Sequence, residues 1–532
     1  MFRQILLFTV VVIALSLQSC ARRGSPVGGD KDSIPPVFVK SMPVNNSVNF
    51  DAKKIRIYFD EYIKLKDLNK QLVISPPQKN TPVIMPMGTA SKYINIKIID
   101  TLAENTTYSF NFGNAVIDNN EGNIYPQFKY VFSTGTYLDS LTLKGTVKDA
   151  FLEETSKSIA LLLYEVNDQF TDSIIFKKKP NYVSSTLDST VFEFTNLKKG
   201  KYLLVALKDA SFNYVFNPRE DKIGYVKNYI ELPTTDSSFV LKIFKEVPDF
   251  RVLKPKELSL GKISIGYAGV HKDLKVKLLT PTPTDFKSKF IYQKDKDTLL
   301  YYYTPFDVDS LNFEITNTDF KQQYRVLLRK KKLDSLQIKS NINGVMQLRD
   351  TFSLISNNPI VEIDTKYMEL MDKDSTVLDI TTETIGTKLN IYFDRKYNNS
   401  YKFTLLPKAL KDIYGVENDS LEVAFSTKHP DEYGVILLKI NKIGKTPIIV
   451  ELLSKTGDLI AREYARTKTN FSFINLERAT YKIRVIRDLN ANGIWDPGHF
   501  LNKTQPEPVL YFEKELEISA NWELNEVFDL KE

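Results

Sequence analysis

The chain writes one pattern twice. "FTNLKKGKYLLVALKDASFNYVFNP", from Phe194 to Pro218, returns as "FINLERATYKIRVIRDLNANGIWDP", from Phe473 to Pro497, with every shared residue 279 positions further on. Nothing is gained or lost between the copies over that stretch, so what repeats is a fixed alternation of strand and turn. In the first copy Phe194, Leu197, Tyr202 and Leu204 fall at inward-facing strand positions, while Asn196 and Gly200 shape the turn between them. The second copy has Ala479 in place of Gly200, which predicts a slightly altered turn.

A second repeat encloses the first. "KIRIYFDEY" from Lys54 returns as "KLNIYFDRK" from Lys388, and Tyr108, Gly122 and Phe132 return as Tyr401, Gly415 and Phe425, each 293 positions on. The chain therefore reads A, B, C, A′, B′. Its short runs, such as "YINIKII", "LTLKGTV", "KISIGY", "LNFEIT" and "VILLKI", alternate with period two and end in Asn, Asp, Gly or Pro, and helical stretches are scarce. A length of 532 residues and 42% apolar content give each module material for its own core. The expected fold class is all-β, a string of antiparallel β-sandwiches. The expected modules are A at 34–136, B at 137–246, C at 247–350, A′ at 351–428 and B′ at 429–532, after a leader at 1–19 and a tether at 20–33.

The leader runs from a basic Arg3 through the apolar Ile5 to Leu17, too short for the roughly 18–20 apolar residues of a membrane span. It ends in Leu17-Gln18-Ser19-Cys20, which resembles a bacterial lipobox. The resemblance implies cleavage before Cys20 and acylation of that residue, the only cysteine in the chain. Two or three acyl chains give stable anchoring where one is marginal. The following "ARRGSPVGGDKDSIPP" is rich in Gly, Pro and charge and reads as a flexible tether. Residue 21 is Ala, so the aspartate that retains many lipoproteins in the inner membrane is missing; outer-membrane localisation is expected, with the cell-surface face favoured over the periplasmic one.

Module A carries "IPPVFVKSMPVNNSVNF", "LAENTTYSFNFGNAVIDNNEGN" and a closing "FST". It resembles the SbsA-type bacterial Ig-like domains, and with the tether the chain looks like the Ig-like-domain lipoproteins of Bacteroidota. B and B′ resemble transthyretin-like (prealbumin-type) sandwiches through the "Phe-x-x-Leu-x-x-Gly-x-Tyr-x-Leu" element. A further pattern, Asp then Ser or Thr then an aliphatic residue or Thr, resembles the Bacteroidota O-glycosylation sequon. It occurs at Ser33, Thr101, Ser140, Ser173, Ser189, Thr298, Ser310, Ser335, Ser375 and Ser420, against about two expected at average composition. Asp-Ser and Asp-Thr also mark turns, and both readings stand.

Little in the sequence speaks for catalysis. The three histidines, His271 in C and His429 and His499 in B′, are scattered along the chain, and there is no G-x-S-x-G elbow, Gly-rich phosphate loop, HExxH or paired-cysteine signature. The 72 basic and 65 acidic residues are well mixed, which argues against nucleic acid; "RKKK" at Arg329 to Lys332 reads as a solvated strand end. "DLNANGIWD" places Asp488, Asn490, Asn492 and Asp496 around Gly493 as in the first part of an EF-hand loop, but position twelve is His499 and not glutamate. Module B writes the same loop with Asp209, Ser211, Asn213, Tyr214 and Asn217, so the readings are calcium in B′ or a loop held by Asx hydrogen bonds to its own backbone. Trp495 and Phe216 sit at equivalent places as core anchors, and one of the tyrosines in "LLYYYTPFD" (from Leu299) must face outward as a second contact surface.

The expected function is a non-enzymatic lipoprotein, bound to the outer membrane through acylated Cys20, that serves as a scaffold for an outer-membrane or periplasmic protein complex (barrel assembly, secretion or uptake). A glycan-binding surface protein is the alternative, and a carboxylate-dependent hydrolase a remote one. No cofactor is required; calcium in the last module is the only candidate.

Overall fold

A computed structural model describes residues 32–236, 238–293, 296–329 and 331–531. Cys20 and the leader lie outside the described residues. The fold is all-β, built from paired, largely antiparallel sheets, with only short helical turns between them. Two compact units divide the chain, the first ending at Lys144 but also taking Pro180–Gly200 and Glu231–Thr235, the second taking the rest.

In the first unit the alternation of "KIRIYF" sends Ile55, Ile57 and Phe59 inward from the strand Lys54–Leu65. That strand pairs with Phe38–Met42 on one side and Ser91–Lys97 on the other. The opposing sheet joins Val73–Ser75, Thr107–Asn111 and Lys129–Ser133, and its Tyr108, Phe110, Tyr130 and Phe132 close the core against the isoleucines. Segment 180–200 joins this unit through polar contacts: Val183 N–H donates to Ser75 Oγ at 3.1 Å, and Asp188 accepts from Asn114 Nδ2 at 2.9 Å.

In the second unit the 293-residue repeat holds atom by atom. Tyr108 Oη accepts from the N–H of Ala103 at 2.9 Å, and Tyr401 Oη from the N–H of Lys396 at 2.8 Å. Thr134 Oγ1 donates to the carbonyl of Ala103, and Thr427 Oγ1 to that of Lys396, at 2.8 and 2.6 Å. Tyrosines of this kind fasten the corner of an Ig-like sandwich by tying a core strand to the loop before it. The sandwich that carries Tyr401 is built from sheets that include Ile338–Ser340 and Gly344–Val345 upstream of Phe352–Ser356.

The 279-residue repeat is equally close. Asn196 and Asn475 both adopt left-handed backbone, with φ 60° and 54°, a conformation asparagine tolerates better than most residues. Gly200 and Ala479 instead begin the strands Gly200–Lys208 and Ala479–Arg487. No positive φ is needed there, so the expected difference between the two turns does not arise. In both sandwiches the last strand lies parallel to the first: Phe239–Ile243 beside Gly145 to Asp149, and Glu523–Asp529 beside Gly434–Asn441. This departs from purely antiparallel pairing.

A candidate interaction site between the repeated sandwiches

The loops that follow Gly200–Lys208 and Ala479–Arg487 share one scaffold of two carboxylates. Asp209 accepts from the N–H groups of Ser211 (3.0 Å) and Tyr214 (2.7 Å); Asp488, fully buried, accepts from those of Asn492 (3.1 Å) and Gly493 (2.8 Å). Tyr214 and Gly493 occupy the same left-handed position, φ 60° and 79°. A second carboxylate then clamps the two ends of each loop. Asp221 accepts from the N–H of Ala210 and Asn217 at 2.9 and 2.8 Å, and Glu507 from the N–H of Leu489 and Asp496 at 2.6 and 3.1 Å. Burial raises the Asp209 and Glu507 carboxyls above the ordinary range, helped by the neighbouring Asp221 in one case and by Asp496 and Asp488 in the other, and opposed by the N–H donors.

These contacts place the candidate calcium residues. Asn490 and Asn492 each donate their side-chain NH2 to Asp496 Oδ2 at 2.7 Å, while their oxygens accept from the N–H of Asn492 (3.1 Å) and Ile494 (2.9 Å). The loop is thus closed by Asx turns and amide-carboxylate bonds, and a cation would have to displace those donors from the oxygens. Among the described residues no cluster of three or more His, Cys, Asp or Glu is placed to hold a metal.

The copies differ in what lies between clamp and strand. Four positions separate Asn217 from Asp221 and eleven separate Asp496 from Glu507, so B′ carries seven extra residues. The inserted segment folds onto B. Phe500 is fully buried, edge-on to the Tyr225 ring at 5.1 Å, and its N–H donates to the buried Glu246 carboxylate. Lys503 Nζ lies 2.7 Å from Asp172 Oδ1 and 4.3 Å from the Phe500 ring centroid. Gln505 Nε2 donates to the carbonyl of Tyr225 at 3.2 Å. Gly498 is required by contact: a Cβ there would stand 2.5 Å from Phe244 Cζ and from Thr504 O.

The docking is reciprocal. Tyr225 pairs with Val205 and Tyr511 with Arg484, positions 279 apart on the central strands. The Tyr225 hydroxyl donates to the carbonyl of Thr504 at 2.8 Å, and the Tyr511 hydroxyl to that of Phe151 at 2.9 Å. Burial, reinforced by Glu246, pushes the Tyr225 phenol up to about 12, so it stays protonated as a donor. Around Tyr511 the Arg484 guanidinium stacks 3.9 Å from the Phe151 ring centroid while bonding the buried Glu451 at 2.6 Å. Trp495 rests on Phe151 at 4.6 Å, whereas its counterpart Phe216 packs inside B on Phe176 at 5.3 Å. One position of the repeat has become an inter-sandwich contact in B′ and stayed internal in B.

A second intrachain contact takes up the tyrosine triplet. Tyr301 and Tyr303 point into the core of C, and Tyr302 points out, as alternation demands. Tyr302 is nonetheless buried, against Ile413 and Tyr414 of the sandwich that carries Tyr401, and Tyr414 donates to the carbonyl of Gly261 at 2.8 Å. The outward tyrosine expected to offer a contact surface is covered by the chain itself.

The sequon residues sit at the surface. Ser33, Thr101, Ser140, Ser189, Ser335, Ser375 and Ser420 are exposed, and Ser173, Thr298 and Ser310 half-buried. Several close turns: Ser189 Oγ donates to Thr186 O at 3.0 Å, and Ser375 has φ 60°. The histidines serve separate local roles: His271 packs on the Tyr267 ring at 5.0 Å, His429 caps a short helical turn, and His499 pairs its backbone with Thr504. Among the described residues no helix is long and apolar enough to cross a membrane.

Comparison with known proteins bears on the first sandwich. Residues 32–134 match the bacterial Ig-like domain family. No curated protein matches the chain in sequence. Among solved structures it is similar to surface layer protein SbsC, domains 1–6, at 8% identity, covering 92% of this chain and 68% of that one with a TM-score of 0.16. The Bacillus anthracis TIE protein is similar at 11% identity over 95% and 76% of the two chains with a TM-score of 0.15. The major pilin subunit BcpA of Bacillus cereus is similar at 10% identity over 73% and 99% with a TM-score of 0.14.

The clamp residues Asp221 and Glu507, the buried Glu246 and the seven-residue insertion escape a reading of the repeat alone. The signal for them is a change of spacing: beyond Pro218 and Pro497 the 279-residue offset becomes 286, linking Asp221 to Glu507 and Tyr225 to Tyr511.

Proposed function

We propose that the chain is a non-catalytic scaffold, tethered to the outer membrane by an acylated Cys20, that presents its sandwiches to another component of the cell envelope. The observation that carries this reading is the reciprocal docking of B and B′, which fixes two modules against each other by hydrogen bonds, stacking and a buried insertion. The use of the buried carboxylates supports it: Asp118, Asp209, Asp221, Asp412, Asp488 and Glu507 all accept main-chain N–H groups and hold loops. The lipobox and tether supply the anchor.

Labelling cells with radioactive palmitate tests the anchor: label on the wild-type chain and none on Cys20→Ala supports it. Crosslinking in intact envelopes followed by affinity purification tests the scaffold, and recovery of the chain with no stable protein partner overturns it. Protease shaving of whole cells then reports the leaflet.

A further inference from the structure

A groove in module C has the features of a built site. It encloses about 560 Å³ between the segment around Lys256–Ser259 and the end of the strand Phe320–Leu327. Lys254, Lys256, Arg325, Arg329 and Lys331 line it, with a single acid, Glu257, among them. Among the described residues none of these five cations forms an ion pair with a carboxylate. Lys331 is engaged structurally, donating to the carbonyls of Glu257 and Leu258 at 2.9 and 3.0 Å, and Arg325 Nε donates to Ser310 Oγ. Among the described residues nothing claims the head groups of Lys254, Lys256 and Arg329.

Glu257 points to a ligand more sharply than the cations do. It is 7% exposed, and one oxygen accepts from the N–H of Arg329 at 2.8 Å. Among the described residues the other, Oε1, is buried with no hydrogen-bond partner, as is the hydroxyl of Tyr303. The two lie close enough that the Glu257 charge helps burial push the Tyr303 phenol up to about 12. Buried polar oxygens are nearly always partnered, and an unpartnered one at the wall of a groove calls for a donor from outside. A fully deprotonated anion such as sulfate has none to offer. A sugar carrying sulfate or phosphate esters has both parts: ester oxygens for the cations and ring hydroxyls for Glu257. The volume lies within the range of small-ligand sites, and five cations against one carboxylate favour a polyanion over a zwitterion.

We propose that this groove binds an anionic saccharide, its sulfate or phosphate esters held by Lys254, Lys256 and Arg329 and a ring hydroxyl donating to Glu257 Oε1. The proposal goes beyond the scaffold reading and does not depend on it. In it Arg329 and Lys331, from the run expected in sequence to be a solvated strand end, supply one lip of a site.

Titration calorimetry on the full chain in detergent tests it, with three probes: a heparin-derived hexasaccharide, its desulfated counterpart, and a sugar phosphate, glucosamine 1,6-bisphosphate; the first and third arms tell sulfate from phosphate esters. Binding of either charged sugar, no binding of the desulfated one, and a loss of at least tenfold in Lys256→Ala/Arg329→Ala are expected. Glu257→Met, which removes the charge and both acceptor oxygens at similar volume, separates a built site from a merely positive surface. Removing a negative charge tightens non-specific anion binding, whereas losing the acceptor for the sugar hydroxyl weakens it at least threefold. Tighter binding in Glu257→Met, or binding of neither charged sugar to the wild-type chain, overturns the proposal. A near-ultraviolet dichroism spectrum matching wild type confirms that each variant is folded.

Discussion

Tyr225 and Tyr511 stand at the same register position of equivalent strands, and each sends its hydroxyl across to a carbonyl of the other sandwich, Thr504 and Phe151 respectively. Two modules related by duplication have thus become each other's partner, using the same residue in both directions, as in the self-complementary interface of a symmetric dimer.

Tyr225→Phe and Tyr511→Phe each remove one hydroxyl donor to the other sandwich, at a cost of about 1 kcal/mol; the carbonyl of Thr504 keeps the N–H of His499. Denaturant unfolding of the double variant should show a loss close to the sum, because the hydroxyls meet different carbonyls.

Gly498→Val tests the insertion. Its side chain would enter space already held by Phe244 and the carbonyl of Thr504, and overpacking of this kind costs about 1–3 kcal/mol. Limited proteolysis should cut 497–506 faster in the variant while 32–134 keeps its wild-type resistance.

Asp488→Ala leaves the N–H groups of Asn492 and Gly493 without acceptors in a buried place, which costs about 1–3 kcal/mol. Because the loop oxygens already hold N–H donors, adding millimolar calcium to the wild-type chain should leave its melting temperature unchanged. A rise of several degrees, abolished in Asp488→Ala, would assign the loop to calcium.

Acidity should act oppositely on the two units. Burial raises the Glu246 carboxyl above its ordinary 4.5, against the opposing Phe500 N–H and the nearby His499. A raised carboxyl stabilises fully below its unfolded value, and that contribution is lost as pH climbs through the folded one. Burial also opposes ionisation of Asp118, but four N–H donors from Asn120, Glu121, Gly122 and Asn123 outweigh it and hold that carboxyl below its ordinary 3.8. Its contribution is present above 3.8 and disappears as pH falls through the folded value. Melting curves across pH should therefore show Glu246→Gln flattening the profile above pH 4.5 and Asp118→Asn flattening it on the acid side of 3.8.

What the sequence made legible follows from what local pattern controls. Alternation placed Ile55, Ile57 and Phe59 in a core, and the constant offsets aligned Tyr108 with Tyr401 and Asp209 with Asp488, because turn and strand chemistry is local. It also required an outward residue in Tyr301-Tyr302-Tyr303. It could not say that Tyr302 is covered by Ile413 and Tyr414, since that depends on how one module meets another over a hundred residues away. The same limit hid Glu246: nothing in "FKEVPDF" marks that carboxylate as the acceptor for Phe500. The loop from Asp488 to Asp496 shows how two chemistries share one spacing, because alternate oxygens suit both a cation and a row of main-chain N–H groups.

The extra segment between Asp496 and Glu507 exists in one copy only, and this has an outcome for self-association. A duplicated sandwich with identical faces could pair with the matching copy in any neighbouring molecule, and heterologous contacts of that kind can grow into fibres. Here the lopsided fit is satisfied within a single polypeptide, so the contact closes on itself and offers no free end from which a polymer could extend.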